Sequence, residues 1–181
     1  MSKPLDANAQ TPQSASGNGA GTGAPDATDT EARPPLAINA QYVKDLSFEV
    51  PSAPGIFGQM QQRQPEIGIK VDVQARTLEA NIYEVVLDIR ADCKSGETVA
   101  FILELTYGGV FTLNVAPLDV RPMLLIECPR ILFPFARQIL ASTTLNGGFL
   151  PLMLGPVDFA ALYRKQQQDE ETADAQPAMI A

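Results

Sequence analysis

The strongest constraint on this chain lies between Tyr42 and Leu113, where four stretches alternate apolar and polar side chains with a period of two. That period sends successive side chains to opposite faces of a strand, so each stretch has one face for a core and one for water. Tyr42, Leu46, Phe48 and Val50 are set against Val43, Asp45, Ser47 and Glu49, and Ile67, Ile69, Val71 and Val73 against Gly68, Lys70, Asp72 and Gln74. In the third stretch Tyr83, Val85, Leu87 and Ile89 oppose Glu84, Val86, Asp88 and Arg90. In the fourth, Val99, Phe101, Leu103, Leu105 and Tyr107 oppose Thr98, Ala100, Ile102, Glu104 and Thr106. No helical spacing separates the stretches, which predicts an antiparallel sheet with one face covered and one wet. Lys94-Ser95-Gly96-Glu97 reads as a tight turn and Gly108-Gly109 as a bulge or bend. Pro51 to Pro65 reads as a loop that carries Ile56, Phe57 and Met60.

Beyond the sheet the apolar spacing becomes helical, so the predicted class is α+β: a four-stranded antiparallel sheet with helices packed on one face. Asp119 is placed as the cap of a helix carrying Val120, Met123, Leu124, Leu125 and Ile126. That helix is apolar on more sides than one sheet can cover, which predicts a subunit interface through Val120, Met123, Leu124 and Leu125, and hence a homo-oligomer. In Glu127–Arg137, Pro129 is predicted to end this helix and Pro134 to open another that stops at Asn146-Gly147-Gly148. Pro156 is predicted to start a last helix. Residues 1–35 are small and polar and read as a disordered tail, residues 36–168 as the folded domain, and residues 169–181 as a second tail.

Composition narrows the function. The formal net charge of −8 disfavours nucleic acid and anionic membrane surfaces as partners. No apolar run approaches the roughly 18 residues of a membrane span, and the N-terminus has no apolar signal region, so a cytoplasmic protein is expected. The chain has no histidine and two cysteines, which removes the Ser-His-Asp triad, the Cys-His pair and any histidine-containing zinc site. Glu127 and an apolar setting should raise the pKa of Cys128, so it reads as a structural thiol. The closely spaced glycines of Gly17–Gly23 lack the strand and helix that a phosphate loop requires. No enzymatic activity, cofactor or metal is expected.

What remains is apolar surface beside the helices: Ile56, Phe57, Met60, Ile131, Phe133, Phe149, Leu150, Leu152 and Met153. These residues either close the core and a subunit interface or form a promiscuous binding surface. Acids on the wet face, Asp45, Glu49, Asp72, Glu84, Asp88 and Glu104, serve either solubility or docking.

The run Cys128-Pro129-Arg130-Ile131-Leu132-Phe133-Pro134-Phe135-Ala136-Arg137 resembles the Cys-Pro-Asn-Ile-Leu-Phe-Pro-Tyr-Ala-Arg stretch of the SecB family of bacterial export chaperones, with Arg130 and Phe135 as departures. Further matching blocks are Lys44–Glu49, Pro51, Ala53-Pro54, Phe57, Gln64–Glu66, Tyr83–Leu87, Gly108–Phe111 and Leu154–Phe159. The resemblance implies an ATP-independent holdase that binds unfolded precursor proteins and delivers them to the SecA ATPase of the Sec pathway. It implies a homotetramer built as a dimer of dimers. It also implies a client groove involving Ile56, Phe57, Met60, Ile131, Phe133, Leu152 and Met153, and a SecA-docking face at Asp45, Glu49, Ile102 and Glu104. Arg63 stands where the family places an aromatic residue, which makes that part of the groove less apolar. A competing reading from the residues alone is an acyl-chain carrier, with the curved sheet enclosing an apolar ligand.

Overall fold

The computed structural model describes residues 33–174. Most of the predicted first tail, residues 1–32, and the end of the second, residues 175–181, lie outside the described residues. At both boundaries order extends further than the composition suggests. The carbonyls of Pro34 and Pro35 accept hydrogen bonds from Asn114, through its side-chain amide at 3.0 Å and its backbone N–H at 2.9 Å. The last helix continues to Asp174, past Asp169.

Four strands, β1 (Leu36–Glu49), β2 (Glu66–Glu79), β3 (Ile82–Ser95) and β4 (Thr98–Leu113), form one antiparallel sheet in the order β1-β4-β3-β2. β2, β3 and β4 follow one another through two-residue turns in which Asn81 and Gly96 take positive φ, a conformation that Asn and Gly tolerate best. β1 and β2 lie at opposite edges, so residues 50–65 must cross the sheet. The predicted loop there contains a short helix, α1 (Gly55–Gln62), whose Ile56 is buried in the core.

Alternation is interrupted where the pairing slips by one residue. A shift between Val43 and Asp45 in β1 reverses the faces on either side of Lys44. Leu46 and Phe48 therefore point inward as expected, but Tyr42 lies on the outer face, opposite Gly108. A second shift, between Cys93 and Lys94 in β3 against β4, leaves Ala100 fully buried and Val99 only half-buried, the reverse of the simple pattern. The Gly108-Gly109 pair, expected to bend the strand, stays in register with β3. Their role is close approach: a Cβ on Gly108 would meet the Tyr42 ring at 2.9 Å, and one on Gly109 would meet Leu132 at 2.7 Å.

The inner face is covered by a helix unbroken from Pro117 to Asn146: α2 (Pro117–Pro122), a π-helical turn (Met123–Glu127) and α3 (Cys128–Asn146). Pro117 opens it behind the extended Ala116, and Asp119 sits in the first turn without capping through its side chain. Pro129 does not end the helix. The widened turn just before it brings the Cys128 N–H to the Met123 carbonyl, and Pro129 falls in the first turn after the change of register. Pro134 is exposed inside α3, so the hydrogen bond it cannot make is lost on the solvent side of the helix. The buried row Cys128, Leu132, Ala136, Leu140, Thr144, each fully enclosed, follows a strict four-residue spacing and lies against β3 and β4.

After Gly148, whose φ is positive, the chain bends at Phe149 and residues 150–158 have no regular secondary structure. Phe149, Leu152 and Leu154 are buried, while Leu150 and Met153 face outward. Thr144 pins this segment: its hydroxyl donates to the Leu140 carbonyl and accepts from the Leu152 N–H at 2.9 Å. The last helix, α4 (Phe159–Asp174), starts later than Pro156; the Asp158 carboxylate caps it by accepting from the Ala161 N–H at 2.9 Å.

Candidate functional site

The residues singled out from sequence fall into three places. The first surrounds the aromatic cluster at one end of the inner layer. Phe149 is in contact with Phe101, Phe57 and Phe48, with ring centroids 5.0, 5.2 and 6.2 Å apart. Phe57 is half-exposed at its margin, and Met60 and Ile131 are half-buried against the core. Ile56 and Leu152, at 1% and 8% exposure, are enclosed in the core of the subunit, where α1 and the Thr144 bond turn them inward. Phe133 is also mostly buried, edge-on to Phe159, yet it floors an open hollow of about 270 Å³ walled by Pro134, Arg137, Gln138 and Met153. Met153 itself is 60% exposed.

Sequence reasoning missed part of this apolar surface. Ile67 and Ile69 share the inner face with Val71 and Val73, yet both stay close to half-exposed. Alternation correctly assigns their face, but it does not reveal where along that face the cover ends.

The second place is the start of the long helix. Leu124 is 7% exposed within the subunit, while Val120, Met123 and Leu125, the other residues expected at an intersubunit surface, remain half-buried. Val120, Leu124 and Leu125 line a cavity of about 720 Å³ together with Tyr83 and Gln166. Leu118, Phe135 and Leu145 are the large apolar residues that this helix leaves exposed, and the sequence pattern did not single them out for an interface.

The third place is the outer face. Strand pairing sets Glu49 beside Ile102, Ser47 beside Glu104 and Asp45 beside Thr106, so the four predicted docking residues, Asp45, Glu49, Ile102 and Glu104, share one patch of β1 and β4. On the β3 side of that patch Arg90 pairs with both Asp92 and Glu104. Asp88 accepts from the Thr106 hydroxyl at 2.8 Å and the Gln74 amide at 3.1 Å.

Glu84 differs from the other wet-face acids, since it is only 3% exposed. Arg76 and Tyr42 donate to its carboxylate, and the Lys44 ammonium lies 3.2 Å away. The Arg76 and Tyr42 hydrogen bonds outweigh burial and, with Lys44, hold its pKa down to about 2. Burial and the Glu84 charge push the Tyr42 hydroxyl up to about 12. Gly108 makes this cluster possible, because the Tyr42 ring passes over it to reach β3.

Cys93 and Cys128 are free and buried. Burial, then the neighbouring Glu127 charge, pushes the Cys128 thiol up to about 12, far from a reactive thiolate. Among the described residues no cluster of acids and cysteines could hold a metal, and no helix is long and apolar enough to cross a membrane.

Residues 29–170 match the family model described as SecB, Preprotein translocase subunit SecB. A protein-export protein SecB of Granulibacter bethesdensis is 56% identical over 80% of this chain and 91% of its own length. One from Paramagnetospirillum magneticum is 50% identical over 82% and 96%, respectively. Among solved structures, a Mycobacterium tuberculosis SecB-like chaperone in complex with a ChAD peptide from the HigA1 antitoxin aligns with a TM-score of 0.58. It covers 67% of this chain and 90% of its own at 12% identity, a likeness of fold.

Proposed function

The chain belongs to the SecB family of protein-export chaperones, and from that premise we propose that it is an ATP-independent holdase of the cytoplasm. It captures unfolded precursor segments on the apolar surface beside the helix layer and hands them to the SecA ATPase across the outer face of the sheet. The work is binding, not catalysis. The observation that carries this reading is apolar side chains left exposed: Ile67 and Ile69 on the inner face of β2, and Met153 at the wall of the Phe133 hollow. Apolar surface at a flexible methionine and a shallow hollow suits extended chains of varied sequence. That the mycobacterial SecB-like chaperone carries a bound peptide supports the same use of this fold.

The client groove then consists of Phe57, Met60, Ile131 and Met153 at its walls, Phe133 at its floor, and Ile67 and Ile69 as additions from β2. Each buried client side chain contributes about 1.5–3 kcal/mol, so affinity arises from several sites engaging one long chain. A dimer of dimers supplies those sites, with the exposed helix residues Leu118, Phe135 and Leu145 as candidates for the contacts between subunits. SecA docks on Asp45, Glu49, Ile102 and Glu104, where acids face a basic partner. The boundaries of the working domain are Arg33 and the end of α4, with the preceding residues dispensable for capture.

Light scattering of the chain alone and with an unfolded precursor tests this reading. The expected result is a tetramer mass that rises on addition of unfolded precursor and not of the folded protein. A monomer, or no capture at any concentration up to tens of micromolar, contradicts it. A melting temperature raised by a fatty acyl ligand instead would favour a carrier.

A further inference from the structure

Arg90 occupies an unusual position on the outer face. It lies on β3 directly across from Glu104 on β4 and beside Lys70 on β2. Its guanidinium is shared between Glu104 and Asp92, and it is half-exposed, as Glu104 is. Asp45, Glu49 and Asp88 lie in the same patch without any ion pair to a described residue. Lys70, the neighbouring cation, likewise makes no ion pair with any described residue. The acidic patch therefore carries one built-in counterion, and that counterion holds Glu104 in particular.

We infer that Arg90 is an internal competitor for the docking partner: a basic segment of the partner binds Glu104 by displacing the Arg90 guanidinium. This rests on the outer face being the docking surface. Exposed ion pairs are weak and exchange readily, so the pairing does not block docking but lowers its affinity. It also sets a threshold of selectivity. A partner must offer a cation that competes with a guanidinium at Glu104, as a lysine- or arginine-rich segment does, whereas a neutral apolar client gains nothing from the exchange.

The test is a titration of purified SecA against the full-length wild type and the R90Q, K70Q, E104Q and R90Q/E104Q variants at one ionic strength, after melting curves show each to be folded. R90Q and K70Q remove the same charge from adjacent positions, so general attraction rises equally in both. R90Q is expected to tighten docking roughly two- to fivefold, the range that the strength of an exposed pair permits, and K70Q by clearly less. The gain from R90Q should vanish in the E104Q background, since the cycle isolates the coupling between the two residues. Docking that R90Q leaves unchanged or weakens, or a gain that persists without Glu104, overturns the role of Arg90 while the docking face stands. Absence of docking by the wild type and every variant overturns the docking face itself, and this inference with it.

Discussion

On the inner face of the sheet Val85, Leu87, Leu103 and Phe111 have no appreciable exposed surface and belong to the apolar core. On the outer face of the same strands Glu84 is nearly as enclosed, yet three polar groups hold it. The two faces reach similar burial by different physics. Apolar burial is non-directional, so the inner face sets little demand on the orientation of what covers it. Ion pairing is directional, so among the described residues the outer face is divided into acids already committed to partners, such as Glu84, and acids without an ion pair, such as Asp45 and Glu49. What each face can bind follows from what its own residues leave unsatisfied.

The sharpest way to break the inner face is Leu132→Ala. Leu132 is fully buried in α3 against Gly109, so its loss leaves a cavity, and stability should fall by about 2–5 kcal/mol in chemical denaturation. A change below about 1 kcal/mol would mean that the helix does not rest on β4 as described. The corresponding change on the outer face is Glu84→Gln, which removes charge-assisted bonds from Arg76 and Tyr42 and should lose about 1.5–3 kcal/mol.

Glu84 also gives the outer face a pH signature that the inner face lacks. Its folded pKa, held to about 2, lies below the ordinary carboxylate value. Its stabilisation is therefore complete above the unfolded pKa, near about 4.3, and is lost as pH falls from there through about 2. Wild type should lose stability over that acid window more steeply than Glu84→Gln, and parallel curves would remove Glu84 from the account. A smaller effect is expected from Ile69→Ser with Met153→Ser. Both side chains are about half-exposed or more, so melting should barely change, while capture of an unfolded precursor should weaken about tenfold, equal to about 1.4 kcal/mol. Unchanged capture would place the groove elsewhere.

The inner face was the more legible in the sequence, because period-two alternation and burial have the same cause. The sheet, its hairpins and its covered side follow from that pattern. Tyr42 and Ala100 did not, since a one-residue shift in pairing is a property of two strands and no single strand records it. Pro129 and Pro134 read as breaks because local propensity forbids them inside a helix, yet the π turn and an exposed flank accommodate them. Ile56 and Leu152 read as surface because loops usually lie there; α1 and the Thr144 hydroxyl, neither of which the apolar pattern reveals, bring them inside. The Glu84 cluster was invisible for a similar reason. Its members come from β1, β2 and β3, and only Gly108 hints that something large passes over β4.

The most direct test of two faces with two tasks is a pair of titrations of Glu104→Lys, one with purified SecA and one with an unfolded precursor, each at two salt concentrations. Glu104 lies on the outer face and contacts Arg90; the neighbouring Phe48–Leu103 pair belongs to the inner face, so the thickness of the sheet separates Glu104 from the aromatic cluster. The account predicts that docking of SecA is lost while capture of the precursor stays within about twofold of wild type, a difference below about 0.5 kcal/mol. It also predicts that wild-type docking weakens with added salt, since exposed charges are screened within about 8 Å at physiological ionic strength, whereas capture does not. Equal loss in both titrations would show that Glu104 supports the fold as a whole and would contradict the separation of the two faces.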